Sequence, residues 1–291
     1  MSGLNVSLAY MLLVTVLSVS GGLLLRLQPL WSFSVEFPAS FMLVASWLEV
    51  QTLMEVGQWA GGFGPDVNVT LLFLVLVIHG VISRGASGNP SVTLMRFLTC
   101  DATCVSALSG LAGQFLGTFL ARLMATYYWS LELTDMHMIK NMMMRECSPA
   151  LRVGVLQGVF TEGVCALTFH LLYLNLQRKA ALLRVPFVAA TLAFLSYAAS
   201  GYTSGFINPS LAYALTFHCP GYTLFQYMTV YWLGPLAGMI LALFLYLGNI
   251  PRIFTRNLLY SQKTRFRVPK GKSSQDQAEK TVKPQGDKKS D

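Results

Sequence analysis

The triplet Asn-Pro-Ser occurs twice, as Asn89-Pro90-Ser91 and as Asn208-Pro209-Ser210, each time just after an apolar run. Asn is a preferred helix N-cap and Pro is favoured at the first helical position, so each triplet reads as a helix start. The segments that follow, "PSVTLMRFLTC" and "PSLAYALTFHC", offer about 11 helical residues each. At about 1.5 Å per residue that is roughly 16 Å, half of a roughly 30 Å hydrocarbon core. The chemistry is that of a polar checkpoint. Each Asn carbonyl oxygen can cap backbone N–H groups while its amide N–H groups donate to a solute. A water held by two such donors presents its oxygen to both, which interrupts a proton wire, and two positive helix ends repel cations.

Such starts have this meaning only if the surrounding elements cross a membrane. The 291 residues are 54% hydrophobic and 12% charged, with mean hydropathy +0.52. A soluble domain carries about 25% charged residues, so the chain reads as polytopic. Apolar runs of spanning length lie near 8–25, 33–53, 68–83, 105–127, 154–176, 185–203 and 224–248. The net charge of +8 is concentrated at the C-terminus, where Arg252–Asp291 holds 11 Lys/Arg against 4 Asp/Glu, a net of +7. That distribution gives no nucleic-acid surface; the expected partner is the lipid bilayer. The composition from about 262 onward predicts disorder.

Loop charges predict orientation. Arg84, Arg96, Arg178, Lys179, Arg184 and the basic tail are expected on the cytosolic side. The stretches 54–67 (Glu55, Asp66) and 129–150 (Glu132, Asp135, Lys140, Arg145, Glu146) are expected opposite. The run 8–25, with Gly21, Gly22 and a closing Arg26, reads as a retained span, an interfacial helix or a signal-like segment. As a span it exposes the sequon at Asn5, whereas the sequon at Asn68 sits too near the membrane. Five cysteines give no metal signature, and their odd number argues against a complete disulfide framework. No cofactor is implied.

The chain also repeats itself. "VEFPAS" at 35–40, a span, "GASGNPSVTL" and a further span are answered by "FTEGVCA" at 160–166, a span, "TSGFINPSLAYAL" and a last span. Glu36 and Glu162 are lone acids in matching places, 53 and 46 residues before their Asn. Three spans per half make the repeat inverted, the arrangement that puts a solute path near the midplane between broken helices. A seven-span receptor needs neither feature. Both acids are expected to brace a half-helix loop by accepting N–H groups, a proton relay being the alternative. His79 and His170 are expected to be satisfied in the core. Gln114, Gly117, Gly234 and Gly238 are expected at helix crossings.

On these residues the chain resembles the aquaporin family over about residues 33–250. "GASGNPSVTL" and "YTSGFINPSLA" resemble the two boxes of the family. "LQGVFTE", "GQFLG" and "VYWLGPLAG" resemble its fourth, third and sixth helices. The resemblance implies an all-α membrane fold of six helices plus two re-entrant half-helices, here with an extra N-terminal apolar helix. The domains are then 1–32, the channel domain 33–250 and the basic cytosolic tail 251–291. It further implies a homotetramer, each protomer with its own pore for water and small neutral solutes.

The departures from the family pattern concern selectivity. Ser91 and Ser210 replace Ala in the boxes, the constriction Arg falls on Leu211, and the fifth-helix His falls on Ser196. Cys219, 11 residues after Asn208, and "RNLLYSQK" resemble the unorthodox superaquaporin branch. Loss of the Arg removes a fixed charge and a fork of donors. Two outcomes follow. Either the pore is wider or more apolar than a strict water filter and passes glycerol or hydrogen peroxide as well, or it conducts poorly and the protein serves a structural or homeostatic role in internal membranes. Lys288 and Lys289 resemble a dilysine signal for the endoplasmic reticulum.

Overall fold

Ten helices carry the chain in a computed structural model that describes residues 3–25, 31–57, 63–144, 147 and 149–247. They are α1 (Gly3–Leu24), α2 (Trp31–Glu55), α3 (Pro65–Ile82), α4 (Pro90–Leu98) and α5 (Cys104–Ser130), followed by α6 (Asp135–Met143), α7 (Val155–Leu176), α8 (Ala181–Ala198), α9 (Pro209–Thr216) and α10 (Leu224–Leu247). The last contains a π-helical turn at Thr229–Leu233. Six helices are long and apolar enough to cross a membrane: α1, α2, α5, α7, α8 and α10; α3 is a shorter apolar helix beside them. The basic tail with Lys288 and Lys289, and also Arg26, Arg145 and Glu146, lie outside the described residues.

The order α2, α3, α4, α5 is repeated as α7, α8, α9, α10, with a half-helix third in each set. Within each set the first and last helices form the most extensive contact, α2 on α5 and α7 on α10. Glycines set how closely they approach. A Cβ on Gly117 would lie 2.4 Å from the Phe37 carbonyl oxygen, and one on Gly238 would lie 2.2 Å from that of Gly163. Such small residues let backbones meet where lipid supplies no hydrophobic drive to association. Gln114 does more than sit at the crossing, since its amide donates across it to Glu36 and Thr93.

The half-helices are shorter than their sequences allow: nine residues in α4 and eight in α9, about 12–14 Å each. The first ends where Cys100 takes a φ of 63°, which no helix continues.

Helix α1 begins five residues earlier than its apolar run, at Gly3. Its buried residues Ser7, Tyr10, Met11, Val14 and Ser18 recur every three or four positions, one face of a helix. Leu8, Leu12, Leu13, Val16 and Leu17 are exposed on the other. Ser7 reaches Glu49 near the end of α2, and Gly22 faces Pro38 near its start, so α1 runs antiparallel to α2. The sequon at Asn5 therefore ends on a hydroxyl engaged inside the protein. Asn68 is buried within α3.

Candidate solute pathway

Each Asn of the two triplets caps its half-helix. Asn89 Oδ1 accepts the Ser91 N–H at 2.9 Å, and Asn208 Oδ1 accepts those of Ser210 and Leu211 at 3.1 and 3.3 Å. Pro90 and Pro209 occupy the first helical position. The residues just before the two Asn, Gly88 and Ile207, share a left-handed backbone, φ 59° and 58°. For a β-branched residue this is strained by about 1–3 kcal/mol, and the surroundings must hold it.

The two lone acids do the holding. Glu36 accepts the N–H groups of Ser87 and Gly88 at 3.1 and 2.9 Å; Glu162 accepts those of Phe206 and Ile207, also at 3.1 and 2.9 Å. Each carboxylate thus grips the two residues before its box Asn. Glu162 is fully buried and Glu36 almost so. A carboxylate in apolar surroundings is tolerated when its lone pairs are filled this way.

The two boxes are also tied to each other. The side-chain amide of Asn208 donates to the Gly88 carbonyl at 2.7 Å, which takes one of the two N–H donors that sequence reasoning reserved for solute. The hydroxyls of Ser210 and Ser91 point at the carbonyls of Gly88 and Ile207 from 3.4 and 3.5 Å, a reciprocal pair of long contacts. Ser210 also donates to Asn208 Oδ1 at 2.8 Å.

A cavity of about 530 Å³ runs up to these boxes. It has room for more than ten waters at about 30 Å³ each. Asn89, Asn208 and Leu211 line it; Pro90, Ser91, Pro209 and Ser210 do not, and they support the wall from behind. Ser196 also stands outside the lining. It sits near the end of α8 and donates to the Ser204 carbonyl at 3.1 Å, whereas Leu192, one turn earlier, faces the cavity. The offset arises because α8 stops at Ala198, so that residues 199–207 form the loop.

His79, expected to be satisfied in the core, lines the cavity with Nε2 unpartnered among the described residues. The signal for it was a lone His ten residues before a box Asn. His170 holds the Ala166 carbonyl through Nδ1 at 2.7 Å, away from the cavity. Around the boxes the apolar side chains Leu43, Trp47, Leu192, Phe206 and Leu211 share the wall with Asn89, Asn208, Ser87 and His79. The other mouth, beside Arg96, Arg178 and Arg184, is polar.

The chain matches the major intrinsic protein family over residues 29–246. It is 44% identical over 278 residues to "Aquaporin-12" of Mus musculus, covering 94% of this chain and 96% of that protein. It is 41% identical over 273 residues to "Putative aquaporin-12A" of Homo sapiens, covering 94% and 90%. To "Aquaporin-11" of Homo sapiens it is 30% identical over 220 residues, covering 76% and 79%. The chain belongs to the aquaporin family. It is a multi-pass membrane channel protein and not an enzyme.

Two further features of this aquaporin lie outside the boxes. Cys219, just past α9, is disulfide-bonded to Cys147, 72 residues away. Sequence reasoning singled out Cys219 but not Cys147, its partner in the stretch 129–150. At that end, too, the fully buried Glu49 gathers three side chains. Ser7 of α1 donates to it, as does Trp129 Nε1 at 2.9 Å, and His137 Nε2 lies 2.9 Å from its Oε1. Tyr10 stacks on Tyr128 at 4.0 Å alongside. This network fastens the extra helix to the channel body, and no motif announced it.

Proposed function

We propose that this aquaporin forms a pathway for water and for small neutral solutes such as glycerol and hydrogen peroxide. The observation that carries the reading is the joint presence of Asn89 and Asn208 on a cavity whose remaining wall at that depth is uncharged. Two capping Asn and two positive helix ends disfavour cations, while the absent Arg removes a narrow, charged filter. Parallel flux measurements in reconstituted vesicles test it. Water, glycerol and peroxide should each move faster than through empty vesicles; folded protein with no flux of any of them overturns the reading.

A second reading rests on Leu211. It is 1% exposed and belongs to the large apolar cluster with Phe206, Tyr227 and Tyr231. An apolar constriction blocks water by dewetting. The protein is then a poorly conducting member of the family with a structural or homeostatic role in internal membranes, and the same vesicles would show the low flux.

The remaining assignments follow from sequence. The tail is cytosolic by the positive-inside rule, residence is in the endoplasmic reticulum through Lys288 and Lys289, and the assembly is a homotetramer, as is usual in the family. Imaging a tagged chain with Lys288 and Lys289 changed to Ser addresses residence, an unchanged distribution discarding the signal. Mass measurement in nanodiscs addresses the assembly.

A further inference from the structure

The basic mouth of the cavity is richer in charge than a path for neutral solutes requires. Arg96, at the end of α4, Arg178, between α7 and α8, and Arg184, in the first turn of α8, all line it. Asp101 is the acid among the lining residues, and its carboxylate already accepts the Thr99 hydroxyl at 2.7 Å. The mouth therefore carries a net charge of +2. Arg96 and Arg184 are half-buried. Arg96 makes no guanidinium hydrogen bond or ion pair among the described residues. Arg184 makes one, to the Gln177 carbonyl at 3.2 Å, which leaves most of its donors free. Both line the same cavity as Tyr173, so their charges border one space. A position at a helix C-terminus accounts for one Arg on α4. The positive-inside rule accounts for three on one face, but neither effect requires all three to line one cavity.

We propose that this mouth binds a phosphate monoester, its phosphate held between Arg96 and Arg184 with Arg178 at the rim. Two guanidinium forks offer planar, paired donors to phosphate oxygens, whereas a carboxylate is filled by one fork. A monoester carries about −1.5 to −2 charges at neutral pH, which matches the mouth. The rest of the ligand lies along the cavity toward the boxes. Asn89 precedes Arg96 by seven residues, roughly 10 Å along the half-helix, and Leu76, Val185 and Val188 line the cavity as apolar wall. A neutral body of that length fits, from a soluble ester or from a single-chain lipid entering from the surrounding leaflet. An occupant there stands across the solute path. This last point rests on the channel reading above; binding itself does not.

Calorimetric titration of the full-length protein with inorganic phosphate, at constant ionic strength and with chloride as the control anion, tests the site. The probe should bind with sub-millimolar affinity. Arg96→Gln and Arg184→Gln should each weaken it at least tenfold, and Arg96→Lys should restore part of the loss. Lys140→Gln, at the opposite end, should leave it unchanged. Unliganded melting curves confirm that each variant is folded. A second arm uses neutral-lipid nanodiscs with and without lysophosphatidate. Tighter binding there than for free phosphate, lost in Arg184→Gln, assigns the ligand to the lipid source; equal or weaker binding assigns it to a soluble one. Phosphate and lysophosphatidate that bind no better than chloride, or binding indifferent to both Gln variants, overturns the proposal. Because binding is read without flux, a non-conducting protein that still binds phosphate refutes only the pathway.

Discussion

The side-chain amide of Asn208 donates to the carbonyl oxygen of Gly88 at 2.7 Å, joining the cap of the second half-helix to the loop that launches the first. One Asn thus caps its own helix, faces the cavity and fastens the two halves of the repeat. Replacing it removes all three contributions. Asn208→Ala should lower stability by about 1–2 kcal/mol from the lost cap alone, and vesicle flux should fall with it. Ser210→Ala should cost less, below about 1 kcal/mol, because its reach to Gly88 is long at 3.4 Å and its better bond is local. Thermal unfolding in detergent ranks the two; a larger loss in Ser210→Ala would reverse this account.

Glu36 and Glu162 act through two carboxyl oxygens that each accept a backbone N–H, so the amide isostere should be harmful. In Glu162→Gln one of the two oxygens that face Phe206 and Ile207 becomes an NH₂. The expected cost is about 1–3 kcal/mol, the range for a buried donor left without an acceptor. Glu36→Gln also disturbs Gln114, and the double change Glu36→Gln with Gln114→Ala should cost less than the two single changes added. Additive losses, measured by unfolding, would separate the two residues.

Close helix crossing makes a sharp contrast among glycines. Gly117→Ala and Gly238→Ala put a Cβ against backbone at 2.4 and 2.2 Å, with no flexible side chain to yield. Each should lose about 1–3 kcal/mol. Gly21→Ala, in α1 with nothing within 4 Å, should instead gain up to about 1 kcal/mol. Melting temperatures of the three variants give the signs directly.

The bond between Cys147 and Cys219 closes a long loop around α7, α8 and α9. Disulfides persist in oxidising compartments, so the pairing agrees with the expectation from loop charges that 129–150 faces away from the cytosol. Cys147→Ser should lower stability by about 2–5 kcal/mol. Reductant should lower the melting temperature of the wild-type protein and leave that of Cys147→Ser with Cys219→Ser unmoved. Equal sensitivity in both would argue against the pairing.

By the resemblance of the second box, Leu211 is expected where the family carries a constriction Arg. Leu211→Ala should raise glycerol flux several-fold while costing about 2–5 kcal/mol of stability, as large-to-small core changes do. Leu211→Arg should restore a fork of donors and narrow the path toward water. Stopped-flow glycerol and water permeability, taken on the same vesicles, reads both changes.

Much of this was legible in the chain itself. Long apolar runs had to become spans, because backbone polar groups in lipid need partners within their own helix. Asn-Pro at residues 89–90 and 208–209 had to start helices, because capping and a fixed φ are local properties. The matched positions of Glu36 and Glu162 exposed the repeat. What the sequence could not supply were relations between distant segments whose residue types look ordinary. Nothing local distinguishes Cys147 as the partner of Cys219, brings Ser7 and His137 to Glu49, or turns His79 rather than Ser196 toward the cavity. Those follow from where helices cross and where a loop begins, and crossing is set by packing in three dimensions. Secondary structure and repeat came from local rules; the lining of the pathway, the anchoring of α1 and the disulfide were decided only once the helices met.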